Sequence, residues 1–282
     1  MSLEVMNVSK YYKDKTALNQ ATVTFKPNTI YGLLGRNGAG KSTLLNIIAN
    51  RSIPSEGSVD LNSTSVLNNE VLLNQIYLMS EDNLFPSSMK IKDMFRISEG
   101  FYGSFDWDFA KKMADSFELN TKQTFKKLST GYRSIAKLIT ALCVPCDYIF
   151  LDEPVLGLDA THRELFYTFL IETYEERNRT FVISTHLIEE IATLLEHVVI
   201  IEQGEVKVDQ ETESLLRQHF ALSGPKNEVL DFASQYTVIG SESLGDYCTA
   251  YLSGDMPNSV PNSLSIQPIN LQQYFVQLTK RK

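Results

Sequence analysis

The sequence predicts an α/β fold built on a mostly parallel sheet, and three observations carry that prediction. Residues 30–34, 76–79, 148–151, 181–184 and 198–201 are short runs that are apolar almost throughout. Strands buried on both faces read this way, because helices cover the sheet on each side. Stretches with helical spacing lie between the runs, the order expected of strands joined by crossover helices. The chain has 282 residues, which at about 150 residues per domain allows roughly two units.

Each element follows from its own pattern. Residues 3–8 alternate and predict a strand. Residues 22–25 and 29–34 predict two more, separated by a turn at Lys26-Pro27-Asn28. Residues 35–40 form a glycine-rich loop, and residues 41–49 carry Leu44, Leu45, Ile47 and Ile48 at helical spacing. Residues 76–79 predict a short strand. From 93 to 142 the pattern is mostly helical and charged, with breaks expected at Gly100, Gly103 and residues 128–131. The helical stretch at about 85–145 therefore reads as an insertion into the sheet. Near residues 210–220 charges thin out and Ser, Asn, Gly and Pro become frequent, which marks a boundary. Beyond it, residues 247–252 and 264–269 predict strands. Residues 270–279 predict an amphipathic helix capped by Asn270, with Leu271, Tyr274, Phe275 and Leu278 inward. This tail reads as a small folded domain or as a segment docked on the larger unit.

Composition bounds the function. Hydrophobic residues make up 43% and charged residues 21%, ordinary globular usage that excludes wholesale disorder and fibrous classes. The net charge is −8, so nucleic-acid binding would need a local basic patch. The nearest lysines, Lys111, Lys112, Lys122, Lys126 and Lys127, read as a solvated helix face. No run reaches the roughly 18–20 apolar residues of a membrane span. Work at a membrane would therefore go through a partner. Cys143 and Cys146 form a C-x-x-C, but without a nearby second pair they read as small buried thiols, and the setting as cytosolic.

The chemistry concentrates in Gly35-Arg36-Asn37-Gly38-Ala39-Gly40-Lys41-Ser42, a match to G-x-x-x-x-G-K-[ST] between a predicted strand and a predicted helix. Glycines let successive backbone N–H groups turn inward around a phosphate, and the helix N-terminus adds partial positive charge. Lys41 can reach the β- and γ-phosphates, Ser42 offers a hydroxyl to Mg2+, and Thr43 is placed for the α-phosphate. The run 148–151 ends in Asp152-Glu153. Asp152 is the candidate Mg2+ acid and Glu153 the candidate general base. His186 follows the run 181–184, at the strand end where ligands gather in open α/β sheets.

With these motifs in this order the sequence resembles the ATP-binding-cassette family, and in particular the ATPase subunit of an ABC transporter, over about residues 1–210. Tyr12 looks like the family's adenine-stacking aromatic, with Tyr11 the competing choice. Leu128-Ser129-Thr130-Gly131-Tyr132 looks like its signature segment, Gly157-Leu158-Asp159 like its dimer-contact loop, and His186 like its γ-phosphate-sensing histidine. The resemblance implies a P-loop NTPase (RecA-like) core with an antiparallel β subdomain at the N-terminus and a helical insertion, beside the small α+β domain that the residue pattern predicts at the C-terminus. The resemblance implies an ATPase domain over 1–215 and ATP with Mg2+ as ligands; the composition boundary leaves residues 216–282 as an accessory domain. Tyr12, Asn37, Gly38, Ala39, Gly40, Lys41, Ser42, Thr43, Ser129 and Gly131 then bind nucleotide. Ser42 and Asp152 hold the metal, and Glu153, His186 and Lys41 are catalytic.

It also implies a dimer, homo- or heteromeric, in which Ser129 and Gly131 act across the interface. An integral-membrane permease would hold the pair on the inner face of the membrane. The aromatics Phe85, Phe95, Phe101 and Tyr102 read either as a groove for a permease helix or as core. The chain departs from the family pattern at several points. Ser80-Glu81 stands where a glutamine is usual, and Ser80 is too short to replace it. Thr130, Tyr132 and Leu156 replace a glycine, a glutamine and a serine. With its tail the chain looks like the bacterial exporters of antibiotics and peptides. The competing expectation is a soluble cassette ATPase with an assembly or regulatory role. A nucleic-acid function is not expected.

Overall fold

The computed structural model of the chain describes residues 2–13 and 15–280. The N-terminal hairpin comes first, β1 (Leu3–Tyr12) and β2 (Lys15–Phe25), followed by β3 (Ile30–Leu34) and α1 (Lys41–Ile48). Then come β4 (Glu56–Leu61), β5 (Thr64–Ser65), α2 (Glu70–Leu73) and β6 (Ile76–Met79). The helical insertion holds α3 (Ile91–Tyr102), α4 (Trp107–Ser116) and α5 (Thr130–Cys143). It returns to β7 (Tyr148–Asp152), α6 (Ala160–Glu176), β8 (Thr180–Ser184), α7 (Ile188–Ile191) and β9 (His197–Glu202). The chain continues through β10 (Glu205–Glu211), α8 (Thr212–Arg217), β11 (His219–Pro225) and α9 (Lys226–Ala233). It closes with β12 (Thr237–Leu244), β13 (Tyr247–Ser253), β14 (Ser265–Pro268) and α10 (Leu271–Thr279).

The five apolar runs pair as predicted. The central sheet has the order β10-β9-β3-β8-β7-β6, parallel except for β10, which turns back antiparallel on β9. Alternation along each strand splits its side chains between two cores. Tyr31, Leu33 and Phe150 face one way, beneath the antiparallel sheet β2-β1-β4-β5. Ile30, Leu34, Ile149 and Leu151 face the other, beneath the helices. In register, Ser184 lies between Leu33 and Asp152. The loops that leave β3, β7 and β8 therefore emerge together at one edge of the sheet.

The insertion is helical as expected, but the break expected at Gly100 is absent. α3 runs through Gly100, because Ile91, Met94, Phe95 and Ser98 bury one continuous stripe. It stops at Gly103, where φ is 95°. Cys143, the last residue of α5, and Cys146, just before β7, are free and buried, and burial pushes the Cys146 thiol up to about 12. Among the described residues no helix is long and apolar enough to cross a membrane.

The C-terminal segment is an α+β unit around the antiparallel sheet β12-β13-β11-β14. Phe220, Leu222, Val229 and Leu252 form its own core. On the opposite face, Leu271 and Tyr274 of α10 join the core of the helical side, against α7 and α8. Asn270 caps α10 as predicted, in a reciprocal capping box with Gln273. The segment is thus both folded and docked.

Candidate functional site

The glycine-rich loop leaves the end of β3 and opens α1. Gly40 has φ of 117°, a conformation that L side chains rarely adopt, and a Cβ there would stand 2.6 Å from the Ala17 carbonyl oxygen. Glycine is required at this position on both counts. α1 has no side-chain cap and no acidic residue in its first turn, and its first hydrogen bond runs from the Leu44 N–H to Gly40 O at 2.9 Å. The amides of residues 41–43 lie ahead of that bond, with the positive end of the helix dipole unneutralised. This is an anion-receptive end.

Lys41 is buried, and its Nζ donates to Gly35 O at 2.6 Å across the loop. Burial lowers the ammonium from its ordinary value, and the carboxylates of Glu153, Asp152 and Glu81 oppose that shift. Asp152 ends β7 and is buried. Glu153 follows it with φ of 48°, left-handed backbone that costs a side-chain-bearing residue on the order of 1 kcal/mol. A hydrogen bond from its N–H to Ser184 O at 2.8 Å holds it there. Its Oε2 lies 2.9 Å from Nδ1 of His186, whose ring is mostly exposed.

These segments surround one cavity of about 400 Å³, lined by Tyr12, Lys15, Ala17, Asn37, Gly38, Gly40, Lys41, Ser42, Thr43, Glu81, Asp152 and Glu153. Most of the residues selected from sequence meet here, and the tyrosine on the wall is Tyr12 rather than Tyr11. Ala39 is not on the wall; its methyl packs into the core under the antiparallel sheet. His186 reaches the cavity only through Glu153. Ser129 and Gly131 are elsewhere in this chain, at the start of α5. Ser129 Oγ accepts from the Tyr132 N–H at 3.3 Å. A Cβ on Gly131 would stand 2.5 Å from Gly157 O, and Ser134 Oγ donates to Leu156 O at 2.9 Å. The signature segment and the Gly157 loop thus form one surface.

Lys15 and Ala17 were not selected from sequence. Glu81 stands in the sequence beside Ser80 at the missing glutamine, as the alternative to Glu153 for the base. Ser80 receives a hydrogen bond from Nη1 of Arg51 at 3.1 Å, and the next residue, Glu81, faces the cavity. Among the described residues no group of three or more His, Cys, Asp or Glu side chains could hold a metal. The Ser42 hydroxyl and the Asp152 carboxylate share the wall, two hard oxygen donors. That set fits Mg2+, which takes one or two protein oxygens and completes its shell with phosphate and water.

The family profile described as ABC transporter matches residues 18–156. The chain is also 30% identical over 211 residues to an uncharacterized ABC transporter ATP-binding protein of Methanocaldococcus jannaschii, covering 72% of this chain and 74% of that one. This chain belongs to the ABC transporter ATP-binding proteins. The ABC chain is similar over nearly its whole length to the Nod factor export ATP-binding protein I of Burkholderia orbicola, at 28% identity, covering 99% of this chain and 97% of that one. Among solved structures, it resembles a dimeric post-hydrolysis state of an ATP-binding cassette bound to ADP and Pi. The TM-score is 0.65 and the identity 25%, covering 74% of this chain and 98% of that one. The α/β core of the ABC chain is thus that of an ATP-binding cassette.

Proposed function

We propose that this chain binds Mg·ATP in the cavity and hydrolyses it as one half of a dimer, powering a separate membrane permease in the outward direction. The observation that carries the reading is the meeting in one cavity of Lys41 and Ser42, from the start of α1, with Asp152 and Glu153, from the end of β7. In this reading Tyr12 stacks on the adenine. The amides at the start of α1 and Lys41 hold the phosphates. Ser42 and Asp152 hold Mg2+, which when bound neutralises phosphate charge. Glu153 accepts a proton from the attacking water, and His186 holds its carboxylate in place. Ser129 and Gly131 reach the γ-phosphate of the facing subunit. Their placement outside this chain's own cavity supports that assignment.

The permease reading rests on a second cavity of about 600 Å³, lined by Tyr77, Leu84, Phe85, Phe101 and Tyr102 among others. Leu84 and Phe101 are largely exposed there. An amphipathic helix docks in such a groove through apolar anchors. Phe95 is excluded from it, because it is buried in the core and stacked on Phe105 at 5.4 Å. The outward direction rests on the whole-length similarity to the export protein.

The test places photocrosslinkers at Phe101 and, separately, at Leu244, and assays the Ser129→Arg protein for turnover. Crosslinks to a membrane protein from Phe101, with ATP binding kept and turnover lost in Ser129→Arg, are expected. Crosslinks confined to Leu244 would contradict the groove, normal turnover in pure Ser129→Arg would contradict the shared site, and uptake into cells would reverse the direction.

A further inference from the structure

The turn of residues 80–82 separates the two cavities. Glu81 lines the phosphate cavity, while Ser80 and Asp82 line the groove. Lys137, in the middle of α5, reaches back to this turn. Its Nζ lies 3.0 Å from Ser80 O, 2.6 Å from Glu81 O and 2.9 Å from Asp82 O. An ammonium has three hydrogens and no acceptor, so three successive carbonyls satisfy it completely. They converge on it in a partly buried place. Without the charge, three carbonyl dipoles would face one another and the turn would open. Arg51 grips the other side, with Nη1 3.1 Å from Ser80 Oγ and Nη2 2.8 Å from Leu78 O.

We propose that Lys137 is a positioning residue for hydrolysis: by holding the 80–82 turn it keeps the Glu81 carboxylate in the phosphate cavity, beside Lys41, Asp152 and Glu153. Glu81 then serves as a second carboxylate that orients the attacking water. The same ammonium belongs to the helix that begins with Ser129 and Gly131, and it lines the groove. A segment entering the groove thus meets the turn and its clamp together.

This inference rests on the hydrolysis reading, so Lys41→Ala is measured alongside. If Lys41→Ala turns over ATP at the wild-type rate, the reading of the cavity fails. If Lys41→Ala is inactive, the clamp is judged on Lys137→Met, alone and combined with Glu81→Ala. Misplacing a reacting group by about 1 Å costs up to ~100-fold. Lys137→Met should therefore lower kcat about tenfold or more, with KM for ATP changed less than about twofold. In the Glu81→Ala background the same change should cost less than about twofold, because residues acting as one unit are not additive. Lys137→Cys alkylated with bromoethylamine carries a side chain of lysine length and should restore kcat. The three native cysteines are buried, so the reagent reaches the new thiol selectively. A wild-type kcat in Lys137→Met, equal losses with and without Glu81, or no recovery on aminoethylation would each overturn the proposal.

Discussion

Glu153 occupies a backbone conformation that costs stability and is held there by its neighbours. It sits in left-handed backbone at the end of a buried strand, bonded through its N–H to the next strand and through its carboxylate to His186. Such strain clusters at working sites. Gly131 is constrained in another way, by its approach to Gly157 O. Gly131→Ala should force the start of α5 from the Gly157 loop and destabilise the fold by about 1–3 kcal/mol, as overpacking does. Its urea midpoint should fall at constant slope, and turnover should drop while ATP affinity in the single subunit holds. An unchanged midpoint would show that the loop yields freely. The residues of the glycine-rich loop and the Asp152-Glu153 pair were legible in the sequence because each is a contiguous motif that directly follows an apolar run. Glu81 was legible only as the alternative to Glu153, since which of the two adjacent residues Ser80 and Glu81 faces inward depends on Arg51 and Lys137, which lie distant in sequence.

At the scale of elements, the parallel strands were legible because burial on both faces leaves them uniformly apolar. α6 was not. Its inward stripe Phe166, Phe169, Leu170 and Thr173 has helical spacing, but Leu165, Tyr167, Ile171 and Tyr174 surround it and blur the period. β10 and β12 are largely exposed edge strands, and pairing rather than composition makes them strands. The expected break at Gly100 failed for a related reason: tertiary burial of one face overrides a weak local residue. Gly100 is exposed, and nothing lies within 4 Å of where a Cβ would be. Gly100→Ala should therefore stabilise the protein by about 0.5–1 kcal/mol. A higher urea midpoint with unchanged turnover is expected, and a lower midpoint would mean that the helix needs its glycine.

Across the whole molecule, two cores share one sheet, and the loops at one edge of that sheet carry the site. The C-terminal unit adds a third core and covers α7 and α8 with α10. It also touches the phosphate loop: Nη1 of Arg36 donates to Thr279 O at 3.2 Å, a cation at a helix C-terminus. Deleting residues 218–282 exposes the apolar surface of α7 and α8 that α10 covers, at about 25 cal/mol per Å². The truncated chain should melt several degrees lower. It should still bind ATP, because every residue lining the cavity precedes residue 154. Loss of binding would make the C-terminal unit part of the site. The proposed dimer and the proposed role of Glu153 as base are tested most directly by comparing Glu153→Gln with Lys41→Ala in MgATP, following ATP affinity, turnover and dimer fraction together. Removing a general base costs typically ~10² to 10⁴ in rate. Glu153→Gln should keep ATP affinity, lose turnover by that factor and accumulate as an ATP-bound dimer, whereas Lys41→Ala should lose affinity itself. Wild-type turnover in Glu153→Gln would contradict the account.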